Sequence, residues 1–211
     1  MAKRKEGVYE QILACAREEF TDKGYIDASL RTIAIKAGTS TNSIYVRFGD
    51  KEGLFSALVS PAKKEFIRRF IDMQERFSGF EKEKQLDTMI PYSIDGMLQL
   101  LDFLYEHFSD FSLLLNASSG TRHSDFVHEL VEIETKYIYR YFASVGYQGK
   151  QGPVSKKLMH IVITSFFEGL FEVVRHNMKQ EEAKEYAKAL ADYHHAGFAA
   201  VFYQAADNIA P

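Results

Sequence analysis

Apolar residues recur along most of this chain at the three- and four-residue spacing of amphipathic helices, and few stretches alternate in the two-residue rhythm of a strand. Tyr9, Ile12, Leu13, Ala16 and Phe20 make a first stripe, which Gly24 stops. Ser29 is placed to cap a second helix carrying Leu30, Ile33, Ala34 and Ala37, and Gly38 ends it. Ser40 caps a short third helix with Ile44 and Phe48 facing inward. Gly49-Asp50 is the next break, with Asp50 as cap. Phe55, Leu58, Ala62, Phe66, Phe70, Met73 and Phe77 continue a long stripe, inside which Pro61 predicts a kink or a helix break. Residues 78–90 are charged and poorly periodic and read as a linker. Further helices are predicted over about 91–107, 109–117, 123–145, 154–178 and 181–206, separated by Gly120 and by the stretch from Gly146 to Pro153.

Composition narrows this picture. Of 211 residues, 46% are hydrophobic, enough for a packed core and too many for a disordered chain. Only four prolines are present, which suits an all-α fold. The single cysteine, Cys15, lies among helix formers and excludes an intramolecular disulfide framework. Met1-Ala2-Lys3-Arg4-Lys5 is basic, but no apolar run follows it as in a signal peptide. No apolar stretch approaches the roughly 18–20 residues of a membrane span. A soluble, cytoplasmic protein without membrane partners is expected.

The net charge of -3 argues at first against a nucleic-acid partner, but the charge is unevenly placed. Residues 1–60 hold nine Lys/Arg against eight Asp/Glu, and the rest of the chain is acidic. Local arrangement must therefore carry any case for DNA. Two short helices joined at Ala37-Gly38-Thr39-Ser40 make a candidate helix-turn-helix, in which Gly38 permits the backbone of a tight turn. Small and branched residues on the inner faces let the helices cross closely. The second helix then presents Thr41, Asn42, Ser43, Tyr45, Val46 and Arg47 outward, a short hydrogen-bonding set suited to a major groove. Lys51 stands beside a helix N-terminus, where a cation is disfavoured unless an anion such as a phosphate sits there. The competing reading is a helical hairpin with a solvated face.

The run from Ser29 to Phe55, SLRTIAIKAGTSTNSIYVRFGDKEGLF, resembles the helix-turn-helix of the tetracycline-repressor (TetR) family, and the upstream Ala16, Phe20, Gly24 and Tyr25 match as well. The resemblance covers about residues 8–58. Beyond it only length and helical character match. Thr39 replaces the usual Val, Ser43 a common Gly, and Arg47 a common His. The resemblance implies an N-terminal three-helix DNA-binding domain at 1–58 and a helical ligand-binding and dimerisation domain at 59–211. It implies that Thr41, Asn42 and Ser43 face base edges, that Tyr45, Arg47 and Lys51 grip phosphates, and that Thr32 touches the DNA backbone. Ser40 completes that set as the cap. Ile33, Ala34, Ile44, Phe48 and Phe20 are expected in the core. Lys3, Arg4 and Lys5 are a candidate mobile arm.

The helix near 157–175 is apolar nearly all round, so it is buried on more than one side. In the TetR family the last two helices of each subunit build a four-helix dimer interface, and Gly169, Gly197 and Ala200 are the small residues expected there. The middle of the chain is rich in Phe, Tyr and Met. Phe66, Phe70, Met73, Met97, Leu101, Phe111, Phe126 and Phe167 are candidates to line a pocket for an apolar ligand, against plain core packing as the alternative. His128 is a candidate polar anchor, with His107, His160 and Glu168 behind it. His128-Glu129-Leu130-Val131-Glu132 lacks the second histidine of a zinc-protease motif, and the adjacent His194-His195 diverge by about 100° on a helix. No metal or cofactor is expected.

The sequence thus points to a homodimeric regulator on palindromic double-stranded DNA, most simply a repressor released by a small apolar or amphipathic effector. The Pro61 region is its expected hinge. No catalytic constellation suggests an enzyme. The alternatives are a ligand-independent DNA architectural protein and a small-molecule binding protein with vestigial DNA contacts.

Overall fold

The computed structural model describes residues 3–147 and 155–202, with side chains from Gly7 onward. The described residues form helices and no strand, so the all-α expectation holds. In chain order the helices are α1 (Lys3–Asp27), α2 (Leu30–Lys36), α3 (Thr41–Phe48), α4 (Lys51–Ser78), α5 (Lys82–Glu106), α6 (Phe108–Asn116), α7 (Phe126–Val145), α8 (Lys156–Arg175) and α9 (Gln180–Phe202). They group into two compact units. One holds residues 1–65 and 107–126, the other 66–106 and 127–211.

The first unit is built on the predicted stripes. Ile12, Ala16 and Phe20 of α1 are fully buried, together with Ile33, Ile44, Leu54 and Phe55. Phe20 meets Phe55 edge to face at 5.1 Å, and Tyr25 meets the same ring at 5.6 Å. Gly24 takes a left-handed φ of 69° inside α1, so the helix is interrupted where the sequence predicts its stop. Tyr25 N–H then donates to the Ala117 carbonyl at 2.9 Å. Residues 107–126 belong here through side chains as well. Arg17 pairs with Asp110 at 2.6 Å, Ser56 Oγ lies 2.8 Å from His123 Nε2, and Glu52 accepts from Arg122 N–H at 2.9 Å. Lys3, Arg4 and Lys5 stand in the first turn of α1.

In the second unit, α5 and α8 both pack on α9. Two sequence expectations are corrected along the way. Pro61 does not break α4, which runs unbroken through it. The proline is exposed, so its ring points away from the core and the helix forgoes one hydrogen bond out of many. Residues 78–90 are not a linker either. Only a tight turn separates Ser78 from Lys82. Gln85, 2% exposed, donates from its amide to the carbonyls of Phe77, Ser78 and Phe80 at 3.1–3.3 Å, which satisfies the open C-terminus of α4. A polar residue holds the inner face at this point, so hydrophobic periodicity misses the helix start.

Candidate nucleic-acid interface and ligand cavity

The interface grows from α2, the turn and α3. Ser29 Oγ accepts from Thr32 N–H at 3.3 Å and starts α2. Ser40 Oγ accepts from Ser43 N–H at 3.2 Å and starts α3. Between them Gly38 takes a φ of 61°, and Thr39 N–H reaches back to the Ala34 carbonyl at 2.9 Å. Ile33, Ala34 and Ile44 are buried at the crossing of the two helices. Phe48 is half-buried and stacks on Tyr9 at 5.1 Å. Gly49 ends α3 at a φ of 80°, and Asp50 Oδ1 accepts from Gly53 N–H at 2.6 Å to cap α4.

With its inner face consumed, α3 offers its outer one. Asn42, Tyr45 and Val46 are exposed, Tyr45 by 51% and Val46 by 76%. Thr41, Ser43 and Arg47 are half-exposed, as is Thr32 on α2, and Ser40 is open. Arg47 folds back on its own helix, where its guanidinium donates to the Ser43 carbonyl at 3.1 Å and to Ser43 Oγ at 2.5 Å. Lys51 differs from the expectation of a cation waiting for an anion. Its Nζ donates to the Ile26 carbonyl at 2.9 Å and lies 4.9 Å from the centre of the Tyr25 ring. Burial lowers its pKa, while Asp27 and Glu19 oppose that shift. The carbonyl end of α1 therefore supplies the negative partner that a phosphate was invoked to provide.

The second unit holds a half-open cavity of about 220 Å³. Six of the candidate pocket residues line it, namely Phe66, Phe70, Met73, Met97, Leu101 and Phe167. Phe111 and Phe126 do not. They are fully buried in the first unit, their rings 6.2 Å apart, because the 107–126 segment packs with the N-terminal helices. Nor does His128, which is exposed. His107 sits at the start of α6 in the first unit, and Glu168 binds Arg175 at 2.6 Å. The polar groups that reach the cavity wall include Gln74, Ser93 and Glu134, which the sequence reading passed over, and His194 and His195, which it weighed only as a metal pair. Glu134 was legible, since it occupies an apolar stripe of α7 that runs through Leu130, Tyr137 and Tyr141. Burial raises its pKa to about 7. Its carboxylate accepts from the Gln74 amide. Burial also lowers the pKa of both His194 and His195. Ser93 Oγ lies 3.3 Å from His195 Nε2.

His128 and Glu132 are one turn apart on α7, and His160 of α8 completes a trio whose ligating atoms lie within 4.8 Å of one another. The three could hold a metal ion. The second histidine absent from the local motif thus comes from 28 positions beyond Glu132, a separation sequence spacing cannot reveal. Gly169 and Gly197 also part company. A Cβ on Gly169 would lie 3.4 Å from Leu190 of the same chain, and the Gly169 carbonyl accepts from Tyr186 O–H at 2.9 Å. Its close neighbour is therefore this chain's own α9. Gly197 and Ala200 lie on the exposed side of α9. No helix among the described residues is long and apolar enough to cross a membrane.

Comparison with known proteins agrees with this geometry. The family model for bacterial regulatory proteins, tetR family, matches residues 12–58. Two curated relatives from Bacillus subtilis match over the N-terminal part. An uncharacterized HTH-type transcriptional regulator, YvdT, is 40% identical over 58 residues, and the fatty acid metabolism regulator protein is 32% identical over 81. These matches cover 28% and 38% of the chain and 30% and 42% of those relatives, so the chain matches less than half the length of each. Among solved structures, NalD from Pseudomonas aeruginosa, the secondary repressor of the MexAB-OprM multidrug efflux pump, superposes with a TM-score of 0.62 at 18% identity. That superposition covers 92% of this chain and 97% of NalD. Residues 12–58 thus match the helix-turn-helix of the tetR family of bacterial regulatory proteins, and the all-helical fold is similar to that of NalD.

Proposed function

We propose that the protein is a homodimeric transcriptional regulator that binds a palindromic DNA operator through α3 and leaves it when a small molecule fills the cavity of the second unit. The observation that carries this reading is α3 itself. Ile44 is fully buried on its inner face and Phe48 stacks on Tyr9, while Asn42, Tyr45 and Val46 project outward from a capped helix behind a left-handed Gly38. In this reading residues 1–58 act as the DNA-binding module and 59–211 as the ligand-binding and dimerisation part. Thr41, Asn42 and Ser43 read base edges, and Thr32, Ser40, Tyr45, Arg47 and Lys51 position the phosphate backbone. Arg47 exchanges its bonds to Ser43 for phosphate oxygens. Lys51 holds the end of α1 and lends its charge to the same surface. The exposed side of α9 at Gly197 and Ala200 joins two copies, so that two α3 helices enter successive major grooves. The protein works as a cytoplasmic repressor, without catalysis. The open cavity supports an effector over a closed architectural protein.

Selection of bound fragments from random duplex DNA tests this. The intact protein is expected to enrich a palindrome. Asn42→Ala should relax preference at one base pair per half-site, at a cost of roughly 1–3 kcal/mol. Lys51→Ala, checked for folding by its melting curve, should weaken all sequences alike and flatten the salt dependence. Folded, ligand-free protein that enriches nothing at low salt overturns the proposal.

A further inference from the structure

The cavity is unbalanced in charge. Among the described residues that line it there is no lysine and no arginine, and the one acid is Glu134. No cation pairs with that carboxyl among the described residues, and its hydrogen-bond partner is the neutral Gln74 amide. The remaining wall is made largely of rings, with Phe70, Phe77, Tyr92, Tyr137, Phe166 and Phe167 among them. We propose that the cavity selects lipophilic cations, an ammonium or a similar positive centre carried on an apolar body, with Glu134 as the counter-ion. This rests on the reading of the cavity as the effector site and names the chemistry of its ligand.

The physical argument compares three ligands with the same apolar body. A neutral one gains burial of that body and a hydrogen bond. An anion loses its hydration, meets a carboxyl and finds no positive group in return. A cation also loses hydration, but ring faces attract it and a carboxylate neutralises it in a medium of low dielectric.

From α4 the wall receives only Gln74 as a polar group, and from α8 none, so no positive side chain competes with an entering cation for the Glu134 carboxyl.

The test is calorimetric titration of the intact chain with decyltrimethylammonium, 1-decanol and decanoate, each below its micelle-forming concentration, at about pH 8. The ammonium is expected to bind roughly tenfold or more tighter than the alcohol, with decanoate weakest. Glu134→Gln keeps the size of the side chain and should abolish the preference for the cation while leaving the alcohol unchanged. The wild-type series across the three ligands decides the matter even if that variant fails to fold. Decanoate binding as tightly as the ammonium overturns charge selection, as does a folded Glu134→Gln with its preference intact. If the alcohol binds and the cation has no lead, the cavity stands as an effector site and the assigned class falls. If none of the three binds, the effector reading fails with it.

Discussion

At the residue scale the helix-turn-helix depends on positions where no side chain fits. Gly53, in the first turn of α4, is the clearest. A Cβ there would lie 1.8 Å from the Phe48 carbonyl oxygen, and backbone cannot step aside as a flexible side chain does. The glycine is what lets the end of α3 sit against the start of α4 while Asp50 caps its N–H. Gly53→Ala is expected to destabilise the protein by about 1–3 kcal/mol or more and to lower DNA affinity, measured by thermal melting and operator titration. A melting point equal to wild type would mean that the α3–α4 junction tolerates a wider angle than it has here. Lys51 teaches a related lesson. Sequence reasoning saw a cation at a helix N-terminus and inferred an absent anion, yet the Ile26 carbonyl that holds it lies twenty-five positions away.

At the scale of elements, helices that bury an apolar stripe were legible to within a few residues, and so were caps such as Ser29, Ser40 and Asp50, because those signals are local. The start of α5 was not, since its first inward residue is the polar Gln85. The cavity was half legible. Its apolar wall follows from helix periodicity, whereas the segregation of Phe111 and Phe126 into the other unit depends on long-range contacts. The pair α8 and α9 carries a prediction of its own. Gly169 faces Leu190 at ordinary contact distance, so Gly169→Ala should be tolerated and gain up to about 1 kcal/mol of helix propensity. Gly169→Leu should push α9 away and lower the melting point. Gly197 meets nothing within 4 Å, so Gly197→Leu should leave the folded chain intact and act only on association. Sedimentation of the three variants separates these effects. A Gly197→Leu protein that remains dimeric would move the proposed interface off this side of α9.

On the scale of the whole molecule, the first unit is assembled from two stretches of chain with the second unit's residues 66–106 threaded between them. Residues 1–65 alone would lack the Ala117 carbonyl for Tyr25, Asp110 for Arg17, and His123 and Arg122 for Ser56 and Glu52. A 1–65 fragment is expected to melt with poor cooperativity and to gain helix content by circular dichroism when a 107–126 peptide is added. A fragment that melts sharply and ignores the peptide would show that the second stretch is dispensable. The arrangement also bears on how the protein is made. A ribosome adding about 5–20 residues per second needs roughly three to twelve seconds to travel from Phe66 to Phe126. For that interval the nascent helix-turn-helix exists with the Tyr25 and Phe55 side of its core uncovered. DNA-binding competence should therefore arrive late in synthesis, although the recognition helix is among the first segments to emerge.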